Sequence, residues 1–217
     1  MEDAKARAWF GATALAGFTG LVIQLFVAAD AEPVLFHTAS GRVFNVFCFF
    51  TIQSNIIVGV TTLLLALDSK RSSILFNTFR LTGVVAIAIT GVVYHSVLSQ
   101  LFDLESWALV ADNLLHTVVP IMAVVGWLMF GPRGLTSPRI MQLSVLFPIA
   151  WLIFTLIRGS VVDFYPYPFV DVIHLGYGRV LINCVWVAVL YLGIAAGATT
   201  LDGWLARNRA IARPGAG

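Results

Sequence analysis

Residues Ile140–Val162 read IMQLSVLFPIAWLIFTLIRGSVV. An α-helix rises about 1.5 Å per residue, so about 20 apolar residues of this kind cross the roughly 30 Å hydrocarbon core of a bilayer. Five more stretches meet the same test: Ala8–Ala29, Val43–Leu67, Leu75–Ser99, Trp107–Phe130 and Arg179–Leu205. Gly and Pro punctuate the gaps between them. The expected fold class is all-α, a polytopic membrane protein of six transmembrane helices. Residues 1–206 form its single domain, and residues 207–217, with Arg207, Arg209 and Arg213, read as a disordered basic cytoplasmic tail. The first stretch also resembles a signal peptide, since Lys5 and Arg7 precede an apolar run ending at Ala29-Asp30-Ala31. A signal core is about 7–15 residues, and this run is longer, so an uncleaved first helix is expected.

Composition agrees. Of 217 residues, 59% are hydrophobic and 11% charged, with a mean hydropathy of +0.90, against about half apolar and a quarter charged in a soluble domain. A net charge of +2 carried by loop residues sets orientation rather than binding nucleic acid, which is excluded as a partner. Lys5 and Arg7, Lys70 and Arg71, Arg133 and Arg139, and the C-terminal arginines occupy the N-terminus, alternate loops and the C-terminus. Six spans put all of these on one side, so both termini are expected in the cytoplasm and the chain in the inner membrane. The opposite loops carry Asp30, Glu32, Asp103, Glu105, Asp163 and Asp171. Cys48 and Cys184 lie inside apolar runs and read as buried hydrophobes rather than a disulfide or metal site.

Polar side chains inside hydrocarbon are costly and mark function. If Val43–Leu67 is one helix entering from outside, Thr51 sits about 12 Å along it, followed by Gln53, Ser54 and Asn55. The fourth stretch brings Asp112, Asn113 and His116 to a comparable depth. The third delivers Tyr94 and His95 near its outer end, the fifth Arg158, and the sixth Arg179 and Asn183. Thr51, Ser54 and Asn55 are spaced by three and four, as are Asp112 and His116, and Arg179 and Asn183, so each set shares a helix face. These faces are expected to line one polar cavity open toward the outer side. An Asp four residues before a His orients its imidazole as a general base, and such a base can activate a Thr hydroxyl. Thr51, His116 and Asp112 are thus the expected catalytic set, for acyl transfer. Each also has an ordinary reading: a membrane Thr bonds its own upstream carbonyl, a His bonds a neighbouring helix, and Arg158 or Arg179 snorkels to headgroups.

Asp163-Phe-Tyr-Pro-Tyr-Pro-Phe-Val-Asp171 cannot be regular helix, because each Pro restricts the residue before it. It reads either as a cap over the outer mouth, contributing Tyr165, Tyr167 and Asp171, or as an interfacial aromatic anchor. The expected substrate-binding residues are Ser54, Asn55, Asn113, His95, Arg158, Tyr167, Asp171, Arg179 and Asn183. Asn55, Asn113 or Asn183 would donate to an oxyanion, and Arg158 or Arg179 would hold a lipid carboxylate. No metal or cofactor is expected, although His95, Asp112 and His116 would offer ligands if they converged. The competing reading is a non-enzymatic lipid-binding protein or a transporter or channel. Against transport, the second and fourth stretches turn apolar past Asn55 and His116, where alternating access would need polar groups to continue.

Three motifs occur in order: Phe50-Thr51-Ile52-Gln53-Ser54-Asn55, then Asp112-Asn-Leu-Leu-His116-Thr117-Val-Val-Pro120, then Tyr167-Pro168-Phe169 with Gly176 and Arg179. Together they resemble the bacterial Pr6Pr proteins, which are similar to the FAR-17a and androgen-induced transmembrane proteins. The resemblance implies an intramembrane threonine hydrolase that cleaves fatty acid esters of hydroxy fatty acids, with Thr51 and His116 at the positions of the family's Thr and His. The chain departs from the eukaryotic pattern around Gln53-Ser54-Asn55 and Tyr165-Pro166-Tyr167, so the lipid ester substrate need not be the same.

Overall fold

The computed structural model describes residues 2–101 and 103–211, with only the backbone of Glu2, Arg209 and Ala210. Helix α1 runs Glu2–Asp30, α2 Ala39–Val46, α3 Phe50–Leu67 and α4 Ile74–Val93, the last continued by a π turn at Tyr94–Leu98. Helix α5 (Ser106–Asn113) passes through a second π turn, Leu114–Val118, into α6 (Val119–Met129). Helices α7 (Pro138–Ser144) and α8 (Leu146–Val162), a 3-10 turn at Pro168–Val170 and α9 (Val172–Ile211) complete the chain. Among the described residues, six helices are long and apolar enough to cross a membrane: Asp3–Asp30, Phe50–Leu67, Ile74–Leu98, Ser106–Met129, Pro138–Val162 and Val172–Asn208. The architecture is all-α and multi-pass. Backbone contacts gather the chain into two compact units, Met1–Ser69 with Ala86–Phe130, and Lys70–Val85 with Gly131–Gly217.

In the first unit α1 lies along α3, and Leu21, Ala28, Val46, Ile52 and Leu115 form a buried cluster with Phe18, Leu25, Phe49 and Ile56 packed against it. The last carbonyls of a helix lack intrahelical donors and carry the negative end of its dipole. Arginines meet them here. Arg7 Nε donates to Ala66 O at 2.8 Å, near the end of α3, and Arg42 donates to Ala28 O at 3.1 Å and Ala29 O at 2.6 Å, near the end of α1.

The stretch expected as one helix from Val43 to Leu67 is two. The chain leaves α2 at Phe47, turns extended at Phe49 and restarts α3 at Phe50. Gln53 Nε2 donates to the Phe47 carbonyl at 3.0 Å, supplying a donor to a carbonyl at the end of α2. Thr51 therefore stands in the first turn of α3, not two turns into a continuous helix.

In the second unit Pro148 sits in the fourth turn of the fifth span. It has no N–H for the carbonyl four residues earlier, Ser144 O, and its ring crowds that carbonyl. The helix bends there into α7 and α8, and Tyr191 OH on α9 donates to Ser144 O at 2.9 Å in a buried contact. The connection after α6 is tied down by two buried ions. Asp202 Oδ2 accepts from Thr136 N (3.0 Å) and Thr136 Oγ1 (2.9 Å), and Arg80 Nη1 donates to Pro132 O at 3.2 Å. After α8, Asp163 takes the left-handed conformation that an Asp tolerates (φ 52°). The chain then folds back so that Tyr165 lies flat on Gly159, where a Cβ would come within 2.1 Å of the Tyr165 ring.

Helix α9 begins at Val172, earlier than the expected Arg179, and crosses Gly176 with one non-helical residue (φ 69°, ψ 158°) that only glycine adopts easily. It also continues through Ile211, into the segment expected to be a tail from residue 207; residues 212–217 lie outside the described chain.

Replacing Tyr191 with Phe orphans the Ser144 carbonyl and is expected to cost about 1–3 kcal/mol, read as a lower unfolding midpoint in detergent. In a Pro148→Ala background, where an N–H at position 148 becomes available to that carbonyl, the same substitution is expected to cost clearly less.

Candidate functional site

Both π turns belong to the first unit, and they carry its polar cluster. In the second, Val119 N–H reaches back five residues to Leu114 O. The next carbonyl, Leu115 O, is left without a helical donor: Val119 N–H is already used, and the residue five ahead is Pro120, which has none. Asn55 supplies the missing bond. Its Nδ2 donates to Leu115 O at 3.1 Å and to Thr51 O, on its own helix, at 2.9 Å. Asn55 is completely buried, and with two carbonyls facing one end of the amide, the orientation of that amide follows from the acceptors. Helix α4 approaches the same place closely, since a Cβ on Gly91 would stand 3.1 Å from Pro120 and 3.6 Å from the His116 carbonyl.

On this turn His116 Nδ1 lies 2.8 Å from Asp112 Oδ1 and 3.3 Å from the Asp112 carbonyl. Two oxygens facing Nδ1 place the proton of a neutral ring there, leaving the lone pair on Nε2. Nε2 has no hydrogen-bond partner among the described residues. Tyr94 from the first π turn donates its OH to Asp112 Oδ2 at 2.5 Å, and its ring stacks on His116 with centroids 4.1 Å apart at 14°. The neighbouring His95 places Nε2 3.0 Å from Thr117 Oγ1. Two side-chain rungs therefore join the two π turns. Chemically, the arrangement is an oriented imidazole with its basic nitrogen open.

The other expected residues fall as follows. Thr51 is buried, and its turn is linked to that of His116 through Asn55. Ser54, also buried, donates to Phe50 O on its own helix at 2.7 Å. Asn113 is exposed and donates to Leu109 O one turn back. Both Nδ2 hydrogens of Asn55 are engaged, so in this arrangement it has none for an oxyanion.

Arg158, Tyr167, Asp171, Arg179 and Asn183 belong to the second unit. There Tyr167 is buried, stacks on Phe169 with centroids 5.3 Å apart and meets Trp151 at 5.8 Å. The Arg158 guanidinium lies 5.9 Å from the Phe164 ring centre. Asn183 donates to Phe169 O at 2.9 Å, fixing the 3-10 turn to α9, and Arg179 is exposed. Asp171 opens α9: its Oδ1 accepts from Ile173 N and His174 N at 2.9 and 3.2 Å, and its Oδ2 meets His174 Nδ1 at 2.7 Å. Partial burial raises the Asp171 pKa, but the His174 side-chain and backbone hydrogen bonds and the Ile173 amide outweigh it, so the carboxyl lies below its ordinary range.

Among the described residues, no group of three or more His, Cys, Asp and Glu is placed to hold a metal ion. Comparison with models of protein families, with curated proteins and with solved structures finds no match.

Tyr94, one of the polar groups expected near the outer end of its helix, was given no role in the site by its sequence, and the buried ions Arg80 and Asp202 were not among the expected residues. Their signal was a charge inside an apolar run, which is rarely tolerated without a purpose. Tyr94 carried only its depth, because a Tyr near a membrane interface is ordinary.

Two outcomes check this geometry. Asn55→Leu leaves the Leu115 carbonyl unanswered and is expected to lower stability by about 1–3 kcal/mol in thermal unfolding. The pKa of Asp171 is lower folded than unfolded, so its contribution is complete above about pH 4 and lost as pH falls through the folded value. The stability gap between wild type and Asp171→Asn is expected to close in acid.

Proposed function

We propose that this protein is an intramembrane lipid-ester hydrolase in which Thr51 is the nucleophile, His116 the general base and Asp112 the group that orients it. The observation that carries the reading is the Asp112–His116 pair, set into a span-forming helix with Nδ1 held by Asp112 and Nε2 open. A base so held inside hydrocarbon is costly to keep for packing alone. Thr51 is the candidate nucleophile because Asn55 binds its turn directly to that of His116. The resemblance to the Pr6Pr proteins points to the same two residues.

In the proposed cycle His116 Nε2 takes the Thr51 hydroxyl proton as Oγ1 attacks the ester carbonyl carbon. The tetrahedral intermediate collapses, the C–O bond to the alcohol breaks, and the leaving oxygen receives the proton from His116. Water, deprotonated by the same nitrogen, then attacks the acyl-Thr51 carbonyl carbon; the bond from that carbon to Thr51 Oγ1 breaks, Oγ1 takes the proton back from His116, and the fatty acid is released. The substrates we favour are fatty acid esters of hydroxy fatty acids, reaching the site from the outer leaflet of an inner membrane with both chain termini in the cytoplasm.

Purified protein in detergent is expected to hydrolyse a medium-chain ester or a branched hydroxy-fatty-acid ester. Thr51→Ala and His116→Ala are expected to lower kcat by about 100-fold or more, and mass spectrometry is expected to find an acyl adduct on Thr51. An inert wild type, or a fully active Thr51→Ala, overturns this mechanism.

A further inference from the structure

Tyr94 makes two separate contacts with the same pair: its hydroxyl donates to Asp112 Oδ2, and its ring lies parallel to His116 at 4.1 Å. Asp112 divides its oxygens between them, Oδ1 to His116 Nδ1 and Oδ2 to Tyr94 OH. A carboxylate held by one hydrogen bond can rotate about its side chain; held at both oxygens, it cannot turn without breaking one. The imidazole is likewise held at its edge by Asp112 and across its face by the Tyr94 ring. That face is the negative side of the aromatic quadrupole, which favours a cation above it.

We infer that Tyr94 is a positioning residue for His116, locking the Asp112 carboxylate and the imidazole plane so that the ring stays in the tautomer with its lone pair on Nε2. This inference rests on the hydrolase reading only for its consequence in catalysis; the lock itself is a matter of geometry. The π turn gives the lock its stiffness. Tyr94 opens the turn Tyr94–Leu98, whose Ser99 N–H closes on the Tyr94 carbonyl at 2.9 Å, and the adjacent His95 bonds Thr117 at 3.0 Å. Tyr94 is thereby held by its carbonyl within its own turn, and its neighbour His95 ties that turn to the opposing one. The titratable groups facing His116 are Asp112 on its own helix and Tyr94 and His95 across from it. From α1 and α3 the same turns receive uncharged partners, Gly20 against Leu114 and Leu115, and Asn55 on the Leu115 carbonyl.

The test is nitrogen-15 NMR of the histidine side chains in full-length protein in detergent, with His116 assigned by its loss in His116→Gln. Wild type is expected to show His116 protonated on Nδ1 with Nε2 unprotonated. Tyr94→Phe keeps the stack and removes the hydroxyl; Tyr94→Leu removes both. Each is expected to move His116 toward a mixture of tautomers, the Leu variant further. Where the ester is turned over, each is also expected to lower kcat by about tenfold with KM unchanged. Helical content and unfolding midpoint are measured alongside, and the Phe variant, nearly isosteric, serves if the Leu variant fails to fold. A tautomer shift in Tyr94→Phe supports the inference even if wild type hydrolyses no ester, in which case the hydrolase reading falls alone. A wild-type tautomer in folded Tyr94→Phe overturns it, whatever the activity.

Discussion

Within hydrocarbon there is no water to answer a backbone carbonyl, so each proline placed in a spanning helix frees an acceptor that some side chain must satisfy. Two such acceptors organise this protein. Pro120 and the π turn before it free Leu115 O, which Asn55 answers from α3; Pro148 frees Ser144 O, which Tyr191 answers from α9. Each bond is made by a deeply buried polar side chain whose presence in lipid would otherwise be a net cost. Proline and donor are thus a matched pair, each of which would destabilise the fold without the other.

The first pairing has a second effect. A π turn is an uncommon, poorly bonded piece of helix that recurs at functional sites, and here the one at Leu114–Val118 carries His116 and Thr117 together. Facing it, the turn at Tyr94–Leu98 carries Tyr94 and His95. The side-chain bonds between the two recover part of what the irregular backbone gives up, and they do so with titratable groups. Titratable side chains and backbone irregularity therefore occupy one place, a consequence of the cost of leaving a buried carbonyl unanswered.

The spans were legible in the sequence because they depend on a single quantity, the length of an apolar run. All six appear within several residues of where hydropathy puts them. The Asp112–His116 contact was legible too, because i and i+4 on a helix face one another, and the π residues Leu114 and Leu115 between them do not undo it. The break between α2 and α3 was not. Phe47-Cys48-Phe49 contains neither Gly nor Pro, and the bend is completed by Gln53, a contact that exists only once the chain has turned. The roles of Asn55 and Tyr94 were hidden for a related reason. An Asn on a helix that holds no proline carries no local sign that it will serve a carbonyl sixty residues away, and a Tyr near a membrane boundary looks like any other. Depth along a helix misplaced Thr51, because the run breaks at Phe47–Phe49, and it could not give any polar group its partner.

Partnering separates the structural members of the cluster from its chemical centre. Asn55 spends its amide hydrogens on two carbonyls, Ser54 and Asn113 return theirs to their own helices, and Tyr94 gives its hydroxyl to Asp112. His95 and Thr117 satisfy one another. Asp112 accepts at both oxygens, and His116 is committed at Nδ1. Two atoms of the cluster remain without a partner among the described residues: the buried Asn55 Oδ1, and His116 Nε2, an aromatic nitrogen whose neighbours have fixed its tautomer. The amide oxygen can only accept a hydrogen bond, whereas the imidazole nitrogen can also take up a proton. In the proposed hydrolase the open nitrogen is therefore the atom that moves the proton, and the open amide oxygen belongs to the helix contact.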